Sequence, residues 1–224
     1  MTRTLRKLVT MSLVALLAVP TNARAQALTV DGGAFRVGGE KKFLTFMSAF
    51  AALRFYREQR TAVEQFITTE LVGRFDGLRI FPNWFITYDS PVQYDPNALM
   101  TTVANDPSRN IVNHVQMDIF NNQLMPFLTF MASKNMVVDL SFSLTYAGAN
   151  QNVESFIVGL EHVTRELKLR GVSNVMIDIH NEISLFFNCS NLAVYNPLTD
   201  ITLFRAVRAV KKTDDTRIVT MSIE

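Results

Sequence analysis

Apolar residues arrive along this chain in two alternating rhythms. Short runs bounded by Gly, Pro, Asn or Asp read as buried strands. Longer stretches with an apolar residue every three or four positions read as amphipathic helices. Leu28-Thr29-Val30 and Ala34-Phe35-Arg36-Val37 flank Asp31-Gly32-Gly33. The glycines supply the positive φ values of a tight turn, so this segment predicts a β-hairpin. Phe43 to Met47 predicts a short apolar strand after Gly38-Gly39. Val63, Phe66, Ile67 and Leu71 place a helix over 58–71, and Leu78 to Phe81 reads as a second strand closed by Pro82. Asn83 to Ser108, rich in Pro, Asn, Asp and Tyr, is too long for an ordinary connection; such loops are often functional. A helical pattern over 112–134 is expected to kink or divide at Pro126. Met136 to Phe142 is a third strand. Val153 to Leu169 is an amphipathic helix with Phe156, Ile157, Leu160, Val163 and Leu167 on one side, ended by Gly171. Asn174 to His180 is a fourth strand, Asp200 to Lys211 a helix, and Arg217 to Met221 a fifth strand.

Strand and helix units recurring in this way imply parallel strands joined by right-handed crossovers. Two α/β architectures fit: an open doubly wound sheet and a (β/α)₈ barrel. Strand count alone favours the open sheet.

The start of the chain changes the charge balance. Arg3, Arg6 and Lys7 precede an apolar stretch from Leu8 to Pro20 that is too short to span a bilayer. Ala23-Arg24-Ala25 fits a small-x-small cleavage pattern. Residues 1–25 therefore read as a secretory signal peptide cut before Gln26, which leaves no membrane anchor and implies a secreted or periplasmic bacterial protein. No cysteine lies near the cut, which argues against a lipid-anchored protein. The leader holds four basic residues and no acidic ones, so the formal charge of +2 becomes +2 − 4 = −2 over the 224 − 25 = 199 residues that remain. No basic patch argues for nucleic acid. Residues 26–224 suit one domain with a sizeable core. Cys189 is the single cysteine and cannot form an internal disulfide; its ordinary reading is a structural thiol.

Candidate chemistry concentrates at the end of the fourth strand. Asn174-Val175-Met176-Ile177-Asp178-Ile179-His180-Asn181-Glu182 is an apolar run that stops in a polar cluster with a carboxylate at its tip. In parallel α/β folds, reacting groups gather at the carboxyl ends of strands. Alternation places Asp178, His180 and Glu182 on one face. Arg79 sits between Leu78 and Ile80, and a buried guanidinium is costly unless paired; Asp178 is the partner that alternation offers. Trp84, Phe85 and Tyr88 follow the second strand, either as stacking platforms for sugar rings or as aromatics packed on the rim. His114, His162 and His180 are scattered and make no metal motif, and nothing calls for a cofactor.

The order of these pieces resembles the catalytic domain of clan A glycoside hydrolases, most of all the family 5, or cellulase, type. Phe35-Arg36-Val37-Gly38-Gly39 with Phe43 to Met47 resembles that family's opening hairpin and first barrel strand. Gly77-Leu78-Arg79-Ile80-Phe81-Pro82-Asn83-Trp84 resembles its second strand, Ile177 to Glu182 its fourth, and Arg217 to Ser222 its fifth. The resemblance implies a retaining hydrolase of β-linked polysaccharide or oligosaccharide. Glu182 would be the general acid/base, Asn181 would bind the sugar 2-hydroxyl, Arg79 would orient the nucleophile, and Trp84 and His180 would line the substrate site. Two positions depart from the family pattern: Ile183 replaces the usual proline, and Phe142-Ser143 stands where a histidine is frequent. A full barrel of this type needs ~250 residues and eight strands. Five are legible here, and the family's nucleophile follows the seventh. The expectation is therefore a partial TIM (β/α)₈ barrel with an N-terminal β-hairpin, truncated at its C-terminus, lacking the nucleophile, inactive alone and prone to associate. The alternatives are a non-catalytic carbohydrate-binding barrel relative and an unrelated periplasmic α/β binding module.

Overall fold

The computed structural model describes residues 27–49, 51–82, 99–100, 115–142, 153–179 and 197–221, with side chains from 156 and from 203 onward in the last two helices. Strands β1 (Leu28–Asp31), β2 (Ala34–Val37) and β3 (Glu40–Lys41) form a small antiparallel sheet. Asp31 pairs with Ala34 across Gly32 and Gly33, whose φ values are 58° and 74°. Two successive positive φ values match the right-handed strand twist, and glycine reaches them without a Cβ penalty.

The larger sheet is parallel and built from β4 (Phe46–Ala49), β5 (Gly77–Ile80), β6 (Val137–Ser141), β7 (Val175–Asp178) and β8 (Val219–Thr220), in the order β4-β5-β6-β7-β8. The order never reverses, whereas a doubly wound sheet reverses at its switch point. This winding in one direction favours the barrel over the open sheet that strand count suggested. Between the strands lie α1 (Ala52–Phe66, continued by a π-helical turn, Ile67–Leu71), α2 (Met117–Ile119), a π-helical turn (Phe120–Leu124), α3 (Met125–Ser133), α4 (Val153–Leu169) and α5 (Pro197–Thr213). The expected division near Pro126 is present. The Met125 amide donates to the Phe120 carbonyl five residues back, and Pro126 has no N–H to continue the ladder.

Several boundaries differ from the sequence pattern, three of them in or beside the first strand and the helices α1 and α5. The first strand of the parallel sheet begins at Phe46, because only from there does the backbone pair with β5. Within the apolar run before it, Leu44 is buried while Phe43 is 87% exposed. Helix α1 starts at Ala52, ahead of the expected 58, and carries a non-helical backbone at Gln59. Helix α5 starts at Pro197, ahead of Asp200.

The sheet has two unlike faces. Leu78, Ile80, Val138, Leu140, Val175 and Ile177 face outward into the main core, where Leu53, Phe127, Met131, Leu160, Val163 and Val210 of the helices meet them. Strands covered by apolar helices read as continuous hydrophobic runs, as these do. The inner face is apolar only at its amino end. There Val137, Met176 and Ile218 are buried with Leu28 and Leu44, and Phe35, Val37 and Phe46 pack against them. The hairpin thus plugs that end. Gly77 belongs to this floor: a Cβ there would lie 2.3 Å from the Val137 carbonyl oxygen and 2.6 Å from the Phe46 ring, so a side chain would push β5 off its neighbours.

A buried arginine locks the same end. Arg217 donates to the carbonyls of Val175 (2.9 Å) and Val172 (2.8 Å) and pairs with Asp214 at 3.0 Å. Asp214 also accepts from the Thr216 hydroxyl at 2.7 Å. Burial pushes the Asp214 carboxyl up, but the Thr216 hydrogen bond and the Arg217 charge outweigh it and hold the group below its ordinary value.

Candidate active site

Alternation and register together build a charged cluster inside this face. Leu78 and Ile80 are buried against the helices at 2% and 0% exposure, so Arg79 between them turns inward. Asp139 is flanked in the same way by Val138 and Leu140, and Asp178 by Ile177 and Ile179. Parallel pairing sets Ser48, Arg79, Asp139 and Met176 side by side, and Ser141, Asp178 and Thr220 side by side one step nearer the carboxyl ends. Three mainly apolar strands each contribute one charged residue to one place, and β6 adds Ser141.

The contacts are close. An Arg79 Nη2 N–H donates to Asp178 Oδ2, and Nη2 also lies 3.3 Å from Ser141 Oγ. The Ser141 hydroxyl donates to the same Asp178 oxygen at 2.8 Å. Asp139 Oδ2 lies 3.6 Å from Arg79 Nε, an ion-pair distance longer than a hydrogen bond. The Arg79 guanidinium stands over the Phe81 ring, 5.3 Å from its centroid. The side chains of Asp178, Asp139 and Arg79 are 2%, 9% and 20% exposed, so water reaches the cluster chiefly past the arginine.

Charge decides how the cluster behaves. At ~4 Å and an effective dielectric near 20, one carboxylate–guanidinium attraction is worth about 4 kcal/mol. One guanidinium so placed offsets the burial of one carboxylate. A second ionised carboxylate meets both its own desolvation cost and the charge of the first. Desolvation, followed by the Asp178 charge, raises Asp139 to about 7 against the opposing pull of Arg79 and Thr220. The buried Asp139 Oδ1 has no hydrogen-bond partner among the described residues, and Thr220 Oγ1 stops short of hydrogen-bonding geometry. The arrangement can hold a proton and fix a guanidinium beneath the strand ends.

The ion pair expected between Arg79 and Asp178 is present. Trp84, His180, Asn181 and Glu182 lie outside the described residues. The sequence reading missed Asp139 and Ser141, although a lone acid inside an apolar strand carries the same signal that drew attention to Arg79. Among the described residues no cluster of three or more His, Cys, Asp or Glu is placed to hold a metal.

No protein-family model matches the chain, and a search of curated proteins gave no match. Solved structures do align with it. A cellulase matches with a TM-score of 0.56 and 13% identity, over 91% of this chain and 57% of its own. The mannohexaose complex of the Thermomonospora fusca β-mannanase gives 0.53 and 10%, over 89% and 55%. An exo-β-1,4-mannosidase from an Opitutaceae bacterium gives 0.57 and 14%, over 85% and 34%. The chain thus spans 57%, 55% and 34% of the length of these proteins. At these identities the likeness is one of fold. With its sequential parallel strands, outer helices and plugging hairpin, the chain folds as part of the (β/α)₈ barrel on which these cellulases and mannanases are built.

Proposed function

We propose that the chain is part of an exported hydrolase of β-O-glycosidic bonds in a polysaccharide or oligosaccharide, acting by the retaining two-carboxylate mechanism. The observation that carries this reading is the inward ion pair of Arg79 with Asp178, on the strand that leads directly into Asn181-Glu182. An arginine fixed there by an acid and a hydroxyl is pre-organised to hold a further carboxylate at the strand ends.

In this reading Glu182 protonates the leaving oxygen and then activates water. Asn181 binds the sugar 2-hydroxyl, a contact that strengthens in the transition state. Arg79 orients the attacking carboxylate, which must lie about 5–5.5 Å from Glu182 for retention of configuration. In the family that the strand motifs resemble, that nucleophile follows a seventh barrel strand. Trp84 offers a stacking surface for a sugar ring, and His180 lines the cleft. Residues 1–25 direct export and are removed before Gln26, leaving a secreted or periplasmic protein.

The test is hydrolysis of aryl β-glycosides by the full-length gene product and by its Glu182→Gln variant. The expected loss is 10²–10⁴-fold, the range for general acid–base catalysis. Undiminished turnover in the variant would remove Glu182 from the mechanism. Ile183 and Phe142-Ser143, which break the family pattern, favour a second reading: a barrel that binds carbohydrate without cleaving it. Retained binding of a β-linked oligosaccharide with no hydrolysis would select that reading.

A further inference from the structure

We infer that Asp139 is a proton-dependent positioning residue: it stays protonated while Arg79 is bound to Asp178 and, once ionised, draws the guanidinium toward β6. Its catalytic consequence rests on the glycosidase reading above, whereas its proton chemistry does not.

The inference begins with a count of groups. Among the described residues the cluster holds one guanidinium and two carboxyl groups, and both carboxyl side chains are more than nine-tenths buried. Asp178 has taken the stronger share, with a hydrogen bond from Arg79 and another from Ser141. Asp139 is left with Arg79 Nε at 3.6 Å and an Oδ1 without a partner among the described residues. Around Asp139 stand Arg79 from β5, Ser141 of its own strand, Asp178 and Met176 from β7, and Thr220 from β8. Ser48 shares its row on β4, and the floor below is apolar. Arg79 is therefore the one cation facing Asp139 among the described residues, and Asp178 already holds it. A neutral carboxylic acid fits these surroundings; a second carboxylate fits only if the guanidinium is shared. Desolvation and the Asp178 charge, which lift the group to about 7, act in the same direction.

The chemistry is a plain acid dissociation: the Asp139 O–H bond breaks and the proton passes to water, which reaches the cluster along the partly exposed Arg79. The new charge strengthens the Nε···Oδ2 attraction, which competes with the Nη2 bond to Asp178. The direction in which Arg79 presents its guanidinium then depends on pH.

Two titrations of the full chain test this without reference to activity. In protein labelled at the aspartate ¹³Cγ, the Asp139 resonance is expected to titrate near 7 instead of at the ordinary 3.8. The ¹⁵Nε resonance of Arg79, identified by its absence in Arg79→Lys, should move with the same midpoint. In Asp139→Asn that movement should vanish. An Asp139 midpoint at its ordinary value overturns the inference in the wild-type protein, so folding of the variant is not required. An Arg79 resonance that ignores the Asp139 titration, or that still moves in Asp139→Asn, also overturns it. In the hydrolysis assay, the limb of kcat/KM with a midpoint near 7 should be lost in Asp139→Asn while the remaining limb is kept. If the full-length product cleaves no glycoside, the glycosidase reading fails and the two resonance titrations still decide the role of Asp139.

Discussion

Each end of the sheet fixes an arginine, buried at Arg217 and partly exposed at Arg79, and the two are held in opposite ways. Arg217, at the amino end, has one carboxylate three residues away and two backbone carbonyls, and each of its three nitrogens has a short contact. Arg79, toward the carboxyl end, faces two carboxylates brought from strands 60 and 99 positions distant (139 − 79 and 178 − 79). Asp214 is stabilised as an anion, whereas Asp139 is pushed toward its neutral form. Among the described residues, one cluster is balanced and the other carries an acid in excess. In barrels the amino face serves stability and the carboxyl face serves chemistry, and an unbalanced buried charge is tolerable where a ligand or a proton can settle it.

This contrast can be broken at either end. The largest expected effect on stability belongs to Arg217→Met. It strands Asp214 and two carbonyls and should lower the unfolding free energy by about 3–5 kcal/mol. Urea unfolding at pH 7 measures it, and a loss below ~1 kcal/mol would show that the clamp is dispensable. Next comes Arg79→Met, expected to cost about 2–4 kcal/mol at pH 8 and distinctly less at pH 5, where Asp139 takes up a proton. Equal losses at the two pH values would mean that the Asp139 charge is not what Arg79 offsets.

The two acids should leave opposite signatures in stability against pH. Asp139 has a folded pKa raised above its unfolded value. Its contribution is complete below about 4 and is lost as pH climbs through about 7. Asp214 has a depressed folded pKa, so its contribution is present above its unfolded value and disappears as pH falls through the folded one. Asp139→Asn should flatten the decline between pH 4 and 7 and gain roughly 1–2 kcal/mol at pH 8. Parallel wild-type and variant curves from denaturant midpoints would contradict the assignment. The smallest effect is expected from Ser141→Ala, about 1 kcal/mol, because Asp178 keeps Arg79 when the hydroxyl goes. A cost near that of Arg79→Met would instead make Ser141 the main anchor of Asp178.

Much of the fold is legible in local pattern. Gly32-Gly33 between alternating segments announces the hairpin, since few other residues tolerate two positive φ values in succession. The helix over 153–169 follows from the spacing of its apolar residues and the glycine after it. Boundaries were harder to read. Phe43 continues the apolar run yet faces solvent, because strand pairing, and not hydrophobicity, sets where β4 begins. Arg79 and Asp178 stand out as charges in apolar strands, and alternation puts Asp178 on the face that Glu182 would share. Asp139 gave the same signal inside a run read only as apolar.

The sequence by itself determined which segments become strands and helices, and that Arg79 needs a buried partner. Those features depend on side-chain period and desolvation, which act within a few residues. Only the tertiary structure decided that Asp139 and Ser141 join that partner, and that Arg217 closes on Asp214 and the Val172 and Val175 carbonyls. Such meetings depend on the register of parallel strands joined by long crossovers. That register is set by how helices pack on the outer face, and no local stretch of the chain encodes it.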